Sequence, residues 1–114
     1  MAQPEGGAVS IKRYAAKRDA NEKTIVEALR EGGAHIVYLD KPLDLLIGYR
    51  GRTYLAEVKN PEHKKGKATG GLTPAQIEFI ADWPGNTPPV LETPDQATAW
   101  LAAIDAGMDR GRVA

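Results

Sequence analysis

Cysteine is absent from this chain, which excludes disulfide staples and thiolate metal sites and fits a reducing, cytoplasmic setting. A metal ion would have to be held by oxygen ligands or by His35 and His63. Net charge is also lacking: 15 Lys and Arg balance 15 Asp and Glu, so overall charge alone cannot hold the protein to nucleic acid. No run approaches the ~20 apolar residues that a membrane span requires. The opening segment MAQPEGGAVSIKR has no apolar core of a secretory signal, so neither membrane insertion nor export is expected.

What is present fits one globular domain. At 114 residues the chain is long enough for a single hydrophobic core and too short for two. With 42% apolar and 26% charged residues, its composition is ordinary for a soluble protein. Charge is nevertheless clustered. Lys12, Arg13, Lys17 and Arg18 form one basic stretch, and Lys64, Lys65 and Lys67 form another beside His63. Such runs are candidate phosphate contacts, although a basic run is more often a solvated face or arm.

The pattern predicts the element order α-β-β-β-α-β-α. Residues 1–18 read as a flexible basic arm. From Asp19 to Glu31, Glu22, Ile25, Val26 and Leu29 recur at helical spacing, with Asp19 as N-cap and Gly32-Gly33 as the stop. His35–Leu39 and residues 44–49 (DLLIGY) read as strands, the second apolar on both faces. Arg50-Gly51 is a tight turn into a third strand, Thr53–Lys59. A Gly- and Lys-rich loop from Asn60 to Leu72 is longer than most connections, as functional loops are. Thr73-Pro74 opens a helix that stops at Pro84-Gly85. A short strand near Pro89–Glu92 and a helix over Pro94–Ala106 complete the domain at 19–106, followed by a frayed tail at 107–114. The expected architecture is α/β (α+β), a mixed sheet flanked by helices.

The chemistry concentrates on the hairpin. Alternation along the third strand sends Leu55, Glu57 and Lys59 to one face and Tyr54, Ala56 and Val58 to the other. Asp44 lies six residues before Arg50 and Glu57 six after Gly51, so a hairpin turning there brings the two carboxylates nearly opposite. Like charges so placed repel unless something neutralises them. A hard divalent cation, Mg²⁺ or Mn²⁺, would do so, and would serve phosphodiester hydrolysis by acidifying water and stabilising charge. Lys59 is placed to orient that water or to steady the phosphate. Taken alone, an E-x-K pair on a strand is usually just solvated; the register that adds Asp44 is what distinguishes this one.

The string LDLLIGYRGRTYLAEVKNP resembles the core of the PD-(D/E)xK phosphodiesterase superfamily, and within it the virus-type replication-repair nuclease (VRR-NUC) branch. The resemblance covers about residues 19–105. It implies a restriction-endonuclease-like core and a metal-dependent DNA endonuclease. Asp44 and Glu57 would be metal ligands with the Val58 carbonyl, Lys59 the catalytic lysine, Glu22 the helix-borne acid near the metal, and Gln76 the glutamine near the scissile phosphate. It also implies phage-type enzymes acting on branched DNA such as four-way junctions, a homodimer that pairs two cuts, and no organic cofactor. One departure is visible: the family's proline before the aspartate is replaced by Leu43, with Pro42 one position earlier. Rival expectations are a nuclease for RNA or linear duplex DNA, a non-catalytic nucleic-acid-binding module, and a scaffold without a nucleic-acid role.

Simpler readings exist for several of these residues. Glu22 suits the third helical position of a capping box with Asp19, and Gln76 suits the first turn of any helix. His35 reads as a strand residue, His63 as solvated, and Trp83 and Trp100 as core packing. Arg50 and Arg52, at the far end of the hairpin from Asp44, read as solubilising.

Overall fold

The computed structural model describes residues 20–61 and 71–108. Within them the elements are α1 (Ala20–Glu31), β1 (His35–Tyr38), β2 (Leu45–Tyr49), β3 (Arg52–Val58), α2 (Pro74–Asp82), β4 (Val90–Leu91) and α3 (Pro94–Asp105). The order matches the sequence expectation. The fold is α+β: a four-stranded mixed sheet, ordered β1-β2-β3-β4, with three helices among the described residues. The first three strands are antiparallel and β4 joins β3 in parallel. The basic positions Lys12, Arg13, Lys17, Arg18, Lys64, Lys65 and Lys67, together with Asp19 and His63, lie outside the described residues.

The apolar stripe of α1 is buried as its spacing requires, through Ile25, Val26 and Leu29. The helix ends where Gly33, at φ 101°, turns the chain back: Ala34 N–H donates to Leu29 O and Gly33 N–H to Arg30 O. These two bonds are the Schellman pattern that satisfies the last carbonyls of a helix. On α3, Ala97, Trp100, Leu101 and Ile104 are buried. Together α1 and α3 cover one face of the sheet, meeting Ile36, Leu45, Ile47, Tyr49, Tyr54, Ala56 and Val58 in one core. Trp100 packs edge-on against Tyr54, centroids 5.1 Å apart, which bears out its expected core role.

The β2–β3 hairpin turns through Arg50 at φ 53° and Gly51 at φ 78°. Two successive left-handed residues are the type I′ turn that matches strand twist. The resulting register pairs Leu45 with Ala56 and Ile47 with Tyr54. Arg50 does more than solubilise. Its Nε lies 3.0 Å from Asp105 Oδ1, the Tyr49 hydroxyl donates to the same carboxylate, and the guanidinium sits 5.0 Å from the Tyr49 ring. This latch holds the turn to the C-terminal end of α3.

The opposite sheet face carries Leu46, Leu55 and the charged positions of the hairpin, and α2 approaches it. Thr73 caps α2 with a complete capping box: its hydroxyl accepts from Gln76 N–H, and its own N–H donates to Gln76 Oε1. No residue of α2 is fully buried. Trp83, expected in the core, is instead 39% exposed and stacks on Phe79 at 5.3 Å. Its helix lies at the periphery of the core, so the indole finds a helical neighbour rather than a second apolar layer.

Candidate active site

The register that pairs Leu45 with Ala56 places Asp44 opposite Glu57 one step further along. Strand alternation sets both on the face away from α1 and α3, and Lys59 with them. The lysine follows through: Lys59 Nζ lies 3.2 Å from Glu57 Oε2, and its side chain is only 20% exposed. The three residues singled out at the open end of the β2–β3 hairpin are thus brought together by two ordinary features, a two-residue turn and the period-2 alternation of a strand.

Their environments differ. The Asp44 carboxylate accepts from Val58 N–H at 2.9 Å, closing the end of the hairpin with a side chain in place of a further backbone rung. Because Glu57 N–H and Lys59 N–H both reach toward β4, to Pro89 O and Leu91 O, the backbone of Val58 between them faces the Asp44 side. Its carbonyl therefore points to that same side. Glu57 is 2% exposed, one of two buried charged residues among the described residues. Its Oε2 accepts from both Lys59 Nζ and Gln76 Nε2, the latter at 2.8 Å. Its Oε1 is buried with no hydrogen-bond partner.

An unpartnered carboxylate oxygen in such a place costs stability unless its charge is neutralised. Glu57 responds by holding its proton: burial first, and then the neighbouring Asp44 charge, push its pKa up to about 7, while Lys59 and Gln76 oppose the shift. Two oxygens that repel, one of them orphaned, beside a backbone carbonyl are the donor set that a hard divalent cation takes. The residues present fit such an ion, and Asp44, Glu57 and the Val58 carbonyl are the groups that would hold it.

Gln76 reaches the site although its position in a helix's first turn suggested only surface. The capping box is why. With Oε1 occupied by Thr73 N–H, its NH₂ must point the other way, as a donor to Glu57. Glu22 is also buried, at 5% exposure, in the first turn of α1. Among the described residues, however, no three His, Cys, Asp or Glu side chains are grouped to hold a metal ion, so Glu22 does not complete a triad with Asp44 and Glu57 here. His35 is an exposed residue of the edge strand β1 and belongs to no such group.

Sequence reasoning missed Asn21. Its side-chain amide donates to Lys59 O at 2.9 Å and to Glu92 O at 3.0 Å, joining α1 to the ends of β3 and β4. The only local signal was a polar residue beside Glu22, which distinguishes nothing. No helix among the described residues is long and apolar enough to cross a membrane. Comparison of the chain with protein-family models, with curated proteins and with solved structures returned no match.

Proposed function

We propose that the protein is a metal-dependent DNA endonuclease of the restriction-endonuclease-like kind, with Mg²⁺ or Mn²⁺ as its ion. The observation that carries this reading is the buried, unpartnered Oε1 of Glu57, a carboxylate that the hairpin register sets opposite Asp44 and whose Oε2 is bonded to Lys59. The resemblance of LDLLIGYRGRTYLAEVKNP, which contains these three residues, to the PD-(D/E)xK superfamily and its VRR-NUC branch also supports it. Asp44, Glu57 and the Val58 carbonyl would hold the cation, which would lower the pKa of a bound water and stabilise charge at a phosphodiester.

The chain's own groups supply the rest. Lys59 is fixed by its bond to Glu57 Oε2, so its ammonium stands at the carboxylate pair rather than sweeping through solvent. From there it orients the attacking water and steadies negative charge growing on the phosphate oxygens. Gln76 holds the same Glu57 oxygen from the α2 side, which leaves Oε1 as the free ligand. Glu22, buried in the first turn of α1, takes its accessory role from the family resemblance. DNA is the proposed partner, with the lysines of residues 64–67 and the basic residues 12–18 as phosphate contacts. Action on branched DNA by a homodimer rests on the family resemblance.

Cleavage of linear, flapped and four-way DNA and of RNA, with Mg²⁺, Mn²⁺ or EDTA, tests the reading. Metal-dependent cutting that Asp44→Asn and Lys59→Ala each abolish is the expected result. Cutting that survives both substitutions refutes the site. A second reading is favoured by the absence of a third grouped carboxylate among the described residues: a non-catalytic nucleic-acid-binding module. DNA retention without cleavage under every metal condition would select it.

A further inference from the structure

We infer that Asn21 is the positioning residue for Lys59, acting through the lysine's backbone. Lys59 stands one residue past the end of β3, which closes at Val58. Strand ends fray unless tied. The ladder with β4 gives Lys59 one bond, from its N–H to Leu91 O. A parallel ladder would next bond Lys59 O to an N–H of the partner strand two residues on. That residue is Thr93, which instead serves as the N-cap of α3.

The Asn21 amide takes the place of the missing rung. Its NH₂ carries two donors, and the two acceptors are Lys59 O and Glu92 O, carbonyls of the two chains where the ladder stops. Both partners being carbonyls, only the NH₂ end of the side chain can face them, so the amide's orientation follows from chemistry. Residues 38 and 71 positions away are thereby joined to one turn of α1. The Lys59 side chain starts from this anchored backbone and reaches Glu57 Oε2 at 3.2 Å. A reacting ammonium must keep its place to a fraction of an ångström, and a misplacement of about 1 Å costs up to ~10²-fold in rate. Removing the amide frees the carbonyl end of Lys59 while leaving the ammonium, both carboxylates and Gln76 intact.

The catalytic consequence rests on the nuclease reading, whereas the geometric one does not, and the experiment separates them. In the full-length protein, well below the unfolding midpoint, Asn21→Ala is expected to lower kcat by about tenfold or more, with KM within about threefold of the parent. Arg50→Ala, which breaks a side-chain ion pair to α3 at the far end of the hairpin, serves as the structural control and keeps the parent kcat. Crystal structures of the parent and Asn21→Ala supply a readout independent of activity: Lys59 Nζ is expected beyond hydrogen-bond distance of Glu57 Oε2 in the variant. Should Asn21→Ala not fold, NMR of the parent decides, since both Asn21 side-chain amide protons must then exchange slowly with solvent. An unchanged kcat, a Lys59 that superposes on the parent's, or fast-exchanging Asn21 amide protons each overturn the inference. A parent that cuts no nucleic acid refutes the nuclease reading alone, and the crystal comparison still judges the tether.

Discussion

Asp44 and Glu57 meet across the β2–β3 hairpin in unequal states: one carboxylate is anchored by the Val58 N–H, while the other keeps one oxygen buried and unpartnered. The asymmetry makes the pair a poor structural element and a good receptor for positive charge. Unfolding releases Glu57 to water and separates it from Asp44, so the fold holds this pair against a local penalty. That penalty has measurable consequences.

The first concerns pH without metal. Glu57 titrates at about 7 in the folded protein, above its ordinary 4.5. Between those values the folded state holds more protons than the unfolded one, so stability falls as pH rises through the window and levels off above it. The loss should be at most about 3 kcal/mol, reduced by other groups that titrate alongside. Urea unfolding in EDTA at pH 5, 6, 7 and 8 measures it, and Glu57→Gln should flatten the slope. A Glu57→Gln profile as steep as the parent's would contradict the assignment.

Asp44→Asn should separate function from stability. The asparagine Oδ1 can still accept from Val58 N–H, and the charge that repels Glu57 is gone. At pH 8 in EDTA the variant should be at least as stable as the parent. Its cleavage should nevertheless fall by on the order of 10²-fold or more, since an oxyanion ligand has been lost. Calorimetric midpoints beside single-turnover rates test both halves; a variant that is less stable and fully active would be the opposite of this expectation.

Gln76 serves a helix cap and the site with one side chain. Gln76→Ala removes its bond to Thr73 N–H and the donor to Glu57. The capping loss should cost about 0.5–1 kcal/mol, and the Glu57 pKa should rise further, because one of the bonds that lowers it is gone. Carboxyl ¹³C NMR titration follows the second effect directly. A downward shift would mean that Gln76 does not hold Glu57 in solution.

At the far end of the hairpin, Gly51 adopts φ 78° with open space around its Cα. Gly51→Ala meets no clash but must adopt a left-handed backbone, at a cost of about 1 kcal/mol. Register is also specified by the buried row Leu45, Ile47, Tyr54 and Ala56, so Asp44 should stay opposite Glu57. The expected outcome is a lower urea midpoint with cleavage unchanged at temperatures where the variant is folded. Lost cleavage in the folded variant would show that the turn, not the core pattern, sets the register.

How much of this was legible differs by residue. The Arg50-Gly51 turn and the alternation along residues 53–59 were enough to align Asp44, Glu57 and Lys59, because both rules act within a few residues. The paired apolar positions of α1 were legible for the same reason. Gln76 was not, since its role depends on α2 coming to lie beside β3, a contact spanning 19 residues. Trp83 misled, because helical periodicity marks an apolar position without saying whether another surface will cover it.

The sequence by itself determined the element order, the hairpin register and the shared face of the two acids and the lysine, because turn chemistry and the strand's two-residue repeat are local. Only the tertiary structure decided that Glu57 is dry, that one of its oxygens lacks a partner, and that Asn21 and Gln76 reach the site from other helices. Solvation and long-range hydrogen bonds depend on which surfaces meet after the chain has closed on itself, and no local pattern carries that information.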